Sequence, residues 1–440
     1  MRWETKSAKG RNAQTGCHGC GKMKIGYVLL DGCGDRPVPE LNYTTPLEAA
    51  FTPNLDMIST RSNLGRVTTV GRGIAPESDI AVFNMLGYSF DRGYPGRGVI
   101  EAIGSGLDMK DGDLALRANL ASAKGKRIVD RRAGRNLSQQ EAEALAEDLN
   151  AMKLSGAQFQ FKATISYRGV LLIRAESPLS AAITNTDPAY ARVGGFGAAR
   201  ATSGSESVAR SVPESREEGA VRAARLVNEF TAKAERILNK SDVNRERIRQ
   251  GKLPANMVLL RDAGDHVPKL ASFEKRYGMK GTALVEMPAE VGIARLLGMK
   301  MVTVKDRKDL GEKARLFSSE LRNGTVVYVH LKGPDEFGHD GDARGKKKNI
   351  ESIDREFFSA ALKVLGDVKL AVSCDHATPC TIKMHSSDPV PVLVTAGARG
   401  DGRRFTEANS VLGSLGHLQG RDVLDGVVHG VFKRSIFSAA

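Results

Sequence analysis

The chain has 440 residues, 41% of them hydrophobic, and 65 Lys and Arg against 51 Asp and Glu give a formal net charge of +14. That length exceeds what one hydrophobic core serves, and no apolar stretch nears the roughly 18 to 20 residues that cross a bilayer, so two domains or a domain with an insertion is expected, and no membrane partner. Aromatics are only 5% and no basic stripe carries stacking rings, so the charge fits a basic enzyme for phosphorylated substrates better than a nucleic-acid partner.

Residues 1–23 read as a disordered basic leader, with Arg2, Lys6, Lys9, Arg11 and Lys22 among small polar residues. Cys17 and Cys20 have C-x-x-C spacing but lack the second ligand pair of a structural zinc site. Five cysteines in all, an odd number, fit a reducing compartment, and with no apolar signal core the expected location is the cytoplasm. From 25 to 30 a compact apolar run ends at Asp31 and is followed by Gly32, Gly34 and Pro37, a buried strand entering a loop. A helix is expected over 54–61, and a second begins near Ser78, where Pro76, Glu77, Ser78 and Asp79 precede Ile80, Val82, Phe83 and Leu86.

The character changes over 115–225, which holds Arg117, Arg127, Arg131, Arg132 and Arg135, a helical run at 138–154, β-like runs at 158–166 and 170–173, and a Gly/Ala/Ser-rich stretch at 194–207. It reads as an inserted, smaller α+β domain, between core segments 24–114 and 226–440, with a long charged amphipathic helix over 217–239 leading back to the core. Strand-like runs at 257–260, 282–285, 301–304, 325–331, 368–373 and 390–394 then alternate with helical ones. That rhythm predicts an α/β fold around a doubly wound, mostly parallel sheet.

An open parallel sheet presents its ligands at the carboxyl ends of its strands. Asp31, Asp335, His339, Asp375, His376 and His385 all adjoin such strands, and Ser78 opens a helix. Singly each has a plainer explanation: Ser78 as a helix cap, Asp31 as a turn residue, His339 and His385 as surface histidines. Together they supply enough ligands for two metal ions, and three of the chain's eight histidines are among them. Asp335 and His339 are four apart with Gly338 between them, too glycine-rich a segment to be assigned to a helix. Mixed imidazole and carboxylate donors suit Mn²⁺ or Zn²⁺ better than Ca²⁺, and Mg²⁺ less well. With a serine hydroxyl beside them the natural chemistry is phosphoryl transfer to an activated nucleophile.

The strings VLLDGCGDRP (28–37), APESDIAVFNMLGY (75–88), YPGRGVIEAIGSG (94–106), VDRRAGR (129–135), HLKGPDEFGHDGD (330–342), SCDHATPC (373–380) and HSSDPVPVLV (385–394) resemble the archaeal-type, 2,3-bisphosphoglycerate-independent phosphoglycerate mutases of the alkaline phosphatase superfamily. The resemblance runs from about Ile25 to Phe432. It implies an alkaline phosphatase-like core with two divalent ions, manganese first, with zinc, cobalt or magnesium as alternatives, and no 2,3-bisphosphoglycerate. One ion falls to Asp335, His339 and His385, the other to Asp31, Asp375, His376 and Ser78. Ser78 is implied to carry the phosphoryl group between C3 and C2 of glycerate, in glycolysis and gluconeogenesis, with Asp130, Arg131, Arg132 and Arg135 holding the glycerate. The chain departs from the family pattern at Cys33, where methionine is commoner, at Asp262, where RGAG is usual, and at Ala189, where histidine often follows Thr-Asp-Pro. Two other readings stay open: a metal-dependent phosphomonoesterase or other phosphotransferase on the same core, and a nucleic-acid-binding protein on an inactive scaffold. Whether the chain forms a homo-oligomer is also open.

Overall fold

The computed structural model describes residues 23–90, 93–193, 196–199, 207–395 and 399–435. The C-x-x-C, the leader up to residue 22 and most of the 194–207 stretch lie outside them. Fifteen strands are described, in chain order β1 (Lys24–Leu30), β2 (Ser62–Thr68), β3 (Leu114–Lys124), β4 (Arg127–Asp130), β5 (Ala157–Ala163), β6 (Arg168–Ala175), β7 (Tyr190–Val193), β8 (Phe196–Ala199), β9 (Met257–Gly264), β10 (Lys280–Val285), β11 (Lys300–Thr303), β12 (Thr325–Leu331), β13 (Val368–Cys374), β14 (Val390–Thr395) and β15 (Gly416–Gln419).

Eight of them form the main sheet, in the order β11-β10-β12-β1-β13-β14-β2-β15. All neighbours are parallel except β14, which runs against both β13 and β2. The expected α/β class and mostly parallel sheet are therefore present. β1 lies at the centre, and its consecutive Tyr27, Val28 and Leu29 are fully buried, so both faces of the sheet are covered. That is why its sequence reads as an unbroken apolar run rather than as an alternation.

The second sheet is antiparallel, β4-β3-β6-β5, with β9 paired to β3. Helices Gln139–Asn150 and Glu218–Leu238 close its core, placing Leu145, Leu149, Leu226 and Phe230 against Leu116, Leu171 and Leu260. Past the boundary expected at 225, the rest of the long helix packs on the second sheet and β9 pairs with its β3 as far as Gly264. Met257 to Leu260 has the apolar content of a main-sheet strand, but its partners are chosen by packing, and Val258 and Leu260 fill the core beneath Glu218–Leu238.

Helix Arg97–Gly104 lies between the two sheets, with β3 and β9 on one side and helix Pro288–Leu296 on the other. A Cβ on Gly98 would stand 2.5 Å from the carbonyl oxygen of Ala115, and one on Gly292 would collide with that of Ile100. Only glycine allows backbones to meet so closely.

The loop after β1 is held by Glu407, whose carboxylate accepts the Asp35 N–H at 3.2 Å and the Thr45 hydroxyl at 2.7 Å. Burial pushes this carboxyl up to about 7, although both hydrogen bonds act in the opposite sense. The folded state thus binds its proton more tightly than the unfolded chain, so this group's contribution to stability is complete below the ordinary glutamate range and is lost as pH rises toward about 7. Glu407→Gln is expected to flatten the fall in urea midpoint across that interval, relative to the parent chain. An unchanged slope would remove Glu407 as its source.

Candidate functional site

The parallel register pairs Leu30 with Cys374 on one side of β1 and with Leu331 on the other. The residues that follow these three strand ends, Asp31, Asp375 and Lys332, therefore emerge side by side. Asp375 Oδ1 accepts the N–H groups of Gly32 and His376, both at 3.0 Å, which aims Oδ2 toward Asp31. Asp31 Oδ1 and Asp375 Oδ2 are buried and make no hydrogen bond.

Asp335 and His339 come from helix Pro334–Asp340, in the segment whose glycine content kept it from being assigned to a helix. The glycine content that argued against a helix has a packing cause: a Cβ on Gly338 would run into the Thr378 carbonyl oxygen. Four-residue spacing then places Asp335 and His339 on one helical face, with His339 Nε2 at 3.5 Å from Asp335 Oδ1. His385 Nε2 lies 3.4 Å from the same oxygen and 3.3 Å from His339 Nε2. His385 Nδ1 is 2.8 Å from the Pro76 carbonyl and His339 Nδ1 is 3.1 Å from that of Lys383. A carbonyl can only accept, so each Nδ1 carries the proton and leaves Nε2 for a ligand.

Ser78 is the first residue of helix Ser78–Met85, after the extended Glu77. Its Oγ is 3.0 Å from His376 Nε2. The Thr378 hydroxyl donates to Asp335 at 2.6 Å and stands 3.1 Å from His376 Nδ1. With its one proton spent on a carboxylate, Thr378 must accept from Nδ1–H, so the neutral His376 offers a lone pair at Nε2 and Ser78 donates to it. Burial, above all, lowers the His376 pKa to about 4, which keeps the ring neutral. The His376 and His385 rings stack at 3.8 Å between centroids.

Two groups of candidate metal ligands result, Asp335 with His376 and His385, and Asp31 with Asp375 and His376, each with its donor atoms within 4.8 Å of one another. The structure thus gathers all seven residues singled out in the sequence, with His376 common to both groups and His339 at the outer edge of the first. Both groups fit divalent cations: each offers carboxylate oxygen and imidazole nitrogen, and the bare oxygens of Asp31 and Asp375 are the kind that burial makes costly unless a positive charge meets them. Burial, opposed by Lys332 and reinforced by Asp375, raises Asp31 to about 7. Burial works against a charged His385, yet the hydrogen bond and charge of Asp335 outweigh it and lift the ring to about 10, so a cation bound here displaces the proton from Nε2.

Sequence reasoning missed a second layer. Lys332 Nζ bridges Asp31 at 3.2 Å and Glu290 at 3.1 Å, and His330 Nε2 lies 3.3 Å from Asp375 and 3.5 Å from Asp31. His330 was legible in principle, as the one imidazole inside the mostly apolar run TVVYVHL of a buried strand. Glu290, on helix Pro288–Leu296, carries no such signal.

Asp130, Arg131, Arg132 and Arg135 lie on the second sheet, at the end of β4 and in the turn after it. Asp130 Oδ1 accepts the N–H groups of Arg132 at 2.6 Å and Gly134 at 3.1 Å, and Arg131 pairs with the buried Asp187. Ala133, Gly134 and Arg135 have φ of 46°, 74° and 55°, three successive left-handed residues. The fully buried Arg247 holds this strained turn from beneath, through the Ala133 carbonyl at 3.1 Å and Asn136 Oδ1 at 2.7 Å.

A ladder of ion pairs joins Ser78's helix to this region: Glu77 to Arg97 at 2.9 Å, Arg97 to Glu101 at 2.9 Å, Glu101 to Arg117 at 3.1 Å, Arg117 to Asp262 at 3.2 Å, Asp262 to Arg261 at 3.5 Å, and Arg261 to Asp187 at 3.3 Å.

The family described as 2,3-bisphosphoglycerate-independent phosphoglycerate mutase matches residues 59–244. A 2,3-bisphosphoglycerate-independent phosphoglycerate mutase of Aeropyrum pernix is 43% identical over 418 residues, covering 90% of this chain and 97% of its own length. One from Methanopyrus kandleri is 38% identical, covering 92% of this chain and 95% of its own. Among solved structures, a protein of Pyrococcus horikoshii superposes with a TM-score of 0.73 at 27% identity, covering 95% of this chain and all of its own. A cofactor-independent phosphoglycerate mutase from Thermoplasma acidophilum superposes with a TM-score of 0.59 at 32% identity, covering 92% and 99%.

Replacing Asp335 by Ala is expected to lower bound divalent metal from two ions per chain to one, by elemental analysis after equilibrium dialysis against Mn²⁺. Two ions retained would mean that this carboxylate is not a ligand.

Proposed function

The chain belongs to the 2,3-bisphosphoglycerate-independent phosphoglycerate mutases, and we propose that Ser78 carries the phosphoryl group while it interconverts 3- and 2-phosphoglycerate. The observation that carries this assignment is the 3.0 Å approach of Ser78 Oγ to His376 Nε2, the donor common to both ligand groups. The hydroxyl therefore stands where the two groups join. It also opens a helix, whose free N–H groups and dipole favour an anionic oxygen and a phosphate beside it.

Asp335, His339 and His385 would hold one divalent ion, and Asp31, Asp375 and His376 with Ser78 the other. Manganese suits this mixture of histidine and carboxylate. When bound, such ions act as Lewis acids that stabilise charge building on the phosphoryl oxygens. In the first half-reaction Ser78 Oγ gives up its proton and forms an O–P bond as the bond from phosphorus to the C3 oxygen breaks, and that oxygen gains a proton. Glycerate turns in place. In the second, the C2 hydroxyl loses a proton and takes the phosphorus, and Ser78 regains its hydroxyl. His330, 3.5 Å from Asp31 and 3.3 Å from Asp375, offsets the repulsion between the two strand-end carboxylates, and Lys332, held between Asp31 and Glu290, adds to this on the Asp31 side.

Asp130, Arg131, Arg132 and Arg135 would hold the glycerate, the arginine forks meeting its carboxylate. What supports this role is the strained turn that carries them and the buried Arg247 that stiffens it. Water must stay out while the glycerate turns, because it would divert the phosphoserine to free phosphate, and the second sheet is the cover suited to that task.

Ser78→Ala is expected to lower mutase turnover by at least about 10³-fold, the scale seen when a covalent nucleophile is lost. In the metal-loaded parent, free phosphate release should be a small fraction of mutase turnover in a parallel assay. Full activity in Ser78→Ala, or phosphate release matching mutase turnover, would overturn the assignment. Arg132→Ala and Arg135→Ala should each raise KM for 3-phosphoglycerate by about tenfold, the worth of one hydrogen bond to a charged group, with a smaller effect on kcat.

A further inference from the structure

Asp262 stands apart from the other members of the ion-pair ladder. Its φ is 56°, in the left-handed region where an L side chain is strained, and it sits where β9 shifts register against β3. Strain of this kind persists where the surroundings over-determine it, and here they do. Its N–H is 3.3 Å from Asn185 Oδ1, and its Oδ2 lies 3.2 Å from Arg117 Nη1 and 3.5 Å from Arg261 Nε. The two arginine side chains are 9% and 5% exposed, and that of Asp262 is 9% exposed. Arg261 Nε makes no hydrogen bond, so the carboxylate fills this pair of guanidinium groups without satisfying it.

Two buried arginines facing one another around an oxyanion are what a carboxylate or phosphate subsite is made of. The chain has placed its own carboxylate there. Through Glu101 and Arg97 this position is linked to Glu77, the residue before Ser78, and through Arg261 to Asp187 and Arg131. We propose that Asp262 is a specificity-determining residue: an internal anion that occupies the Arg117 and Arg261 pair, keeps a second oxyanion out, and so limits how much negative charge this arginine pair accepts. It acts by charge and occupancy, and it does not touch the reacting atoms.

This rests on the mutase reading for its kinetic arm only. Asp262→Gly suits the test because glycine takes a φ of 56° without strain, so the fold loses an anion and not a backbone conformation. Asp262→Asn keeps the size, tolerates the same φ and removes the charge alone. With the metal-loaded enzyme at constant ionic strength, inorganic phosphate should bind Asp262→Gly about tenfold more tightly than the parent by calorimetry, the gain of one charge-assisted hydrogen bond. Asp262→Asn should fall between. In the mutase assay, phosphate should inhibit Asp262→Gly more strongly by a similar factor, and KM for 3-phosphoglycerate should change more than kcat. Phosphate affinity and KM within twofold of the parent in both variants would overturn the proposal, as would a joint loss of kcat and melting temperature with phosphate binding unchanged, which is the mark of a purely structural residue. A parent without mutase activity would sink the functional reading, and the calorimetric comparison would still decide this one.

Discussion

Two carboxylates that the chain cannot keep apart govern this molecule. The parallel register of β1 and β13 sets Asp31 beside Asp375 at adjacent strand ends, both buried, and like charges at that spacing repel strongly where water is excluded. Burial above all, with Asp375 adding to it, raises Asp31 toward neutrality, while Asp375, despite its own burial, is held below the usual carboxylate range by the positive charges of His330 and Lys332. Positive charge must come to this point. Lys332 and His330 supply part of it from the neighbouring strand, and the donor geometry suits cations for the rest.

The same demand explains the order of the surrounding shell. Lys332 would itself be costly to bury, and it is met by Glu290 as well as Asp31. Lys346, fully buried, pairs with Asp35 at 2.7 Å and donates to the Thr378 carbonyl at 2.9 Å. That contact steadies Thr378, which sets the His376 tautomer and so leaves Nε2 free for Ser78. A chain of such contacts holds a reactive hydroxyl in place while every buried charge along it is answered.

Charge also joins the two sheets. Helix Arg97–Gly104 meets one of them through Gly98 and carries Arg97 and Glu101, which face Glu77 on one side and Arg117 on the other. The site and the second sheet are thereby electrostatically continuous, which is the physical setting for handling a substrate with two anionic groups, a phosphate and a carboxylate. Arg247, beneath the 130–136 turn, shows how much buried structure is committed to presenting a short basic segment.

Strand ends, the mostly parallel sheet and the candidates Asp31 and Asp375 were legible in the chain itself, because a doubly covered strand must be an unbroken apolar run and the polar residue after it falls at the sheet's edge. Ser78, Asp335, His339, His376 and His385 were legible only as candidates near such strands or at a helix start. The assignment of β9 to the second sheet was not legible, since Met257 to Leu260 has the composition of either sheet and only its fit beneath Glu218–Leu238 decides. Helix Pro334–Asp340 was hidden for a related reason: Gly338 weakens local helix propensity, and its purpose, close approach to Thr378, exists only between segments forty residues apart. Local pattern thus determined which residues could be ligands. Register and packing determined that His376 would be common to both groups, that Lys332 and Glu290 would answer Asp31, and that Asp262 would lie between two arginines, because those relations depend on distances through space that no stretch of sequence encodes alone.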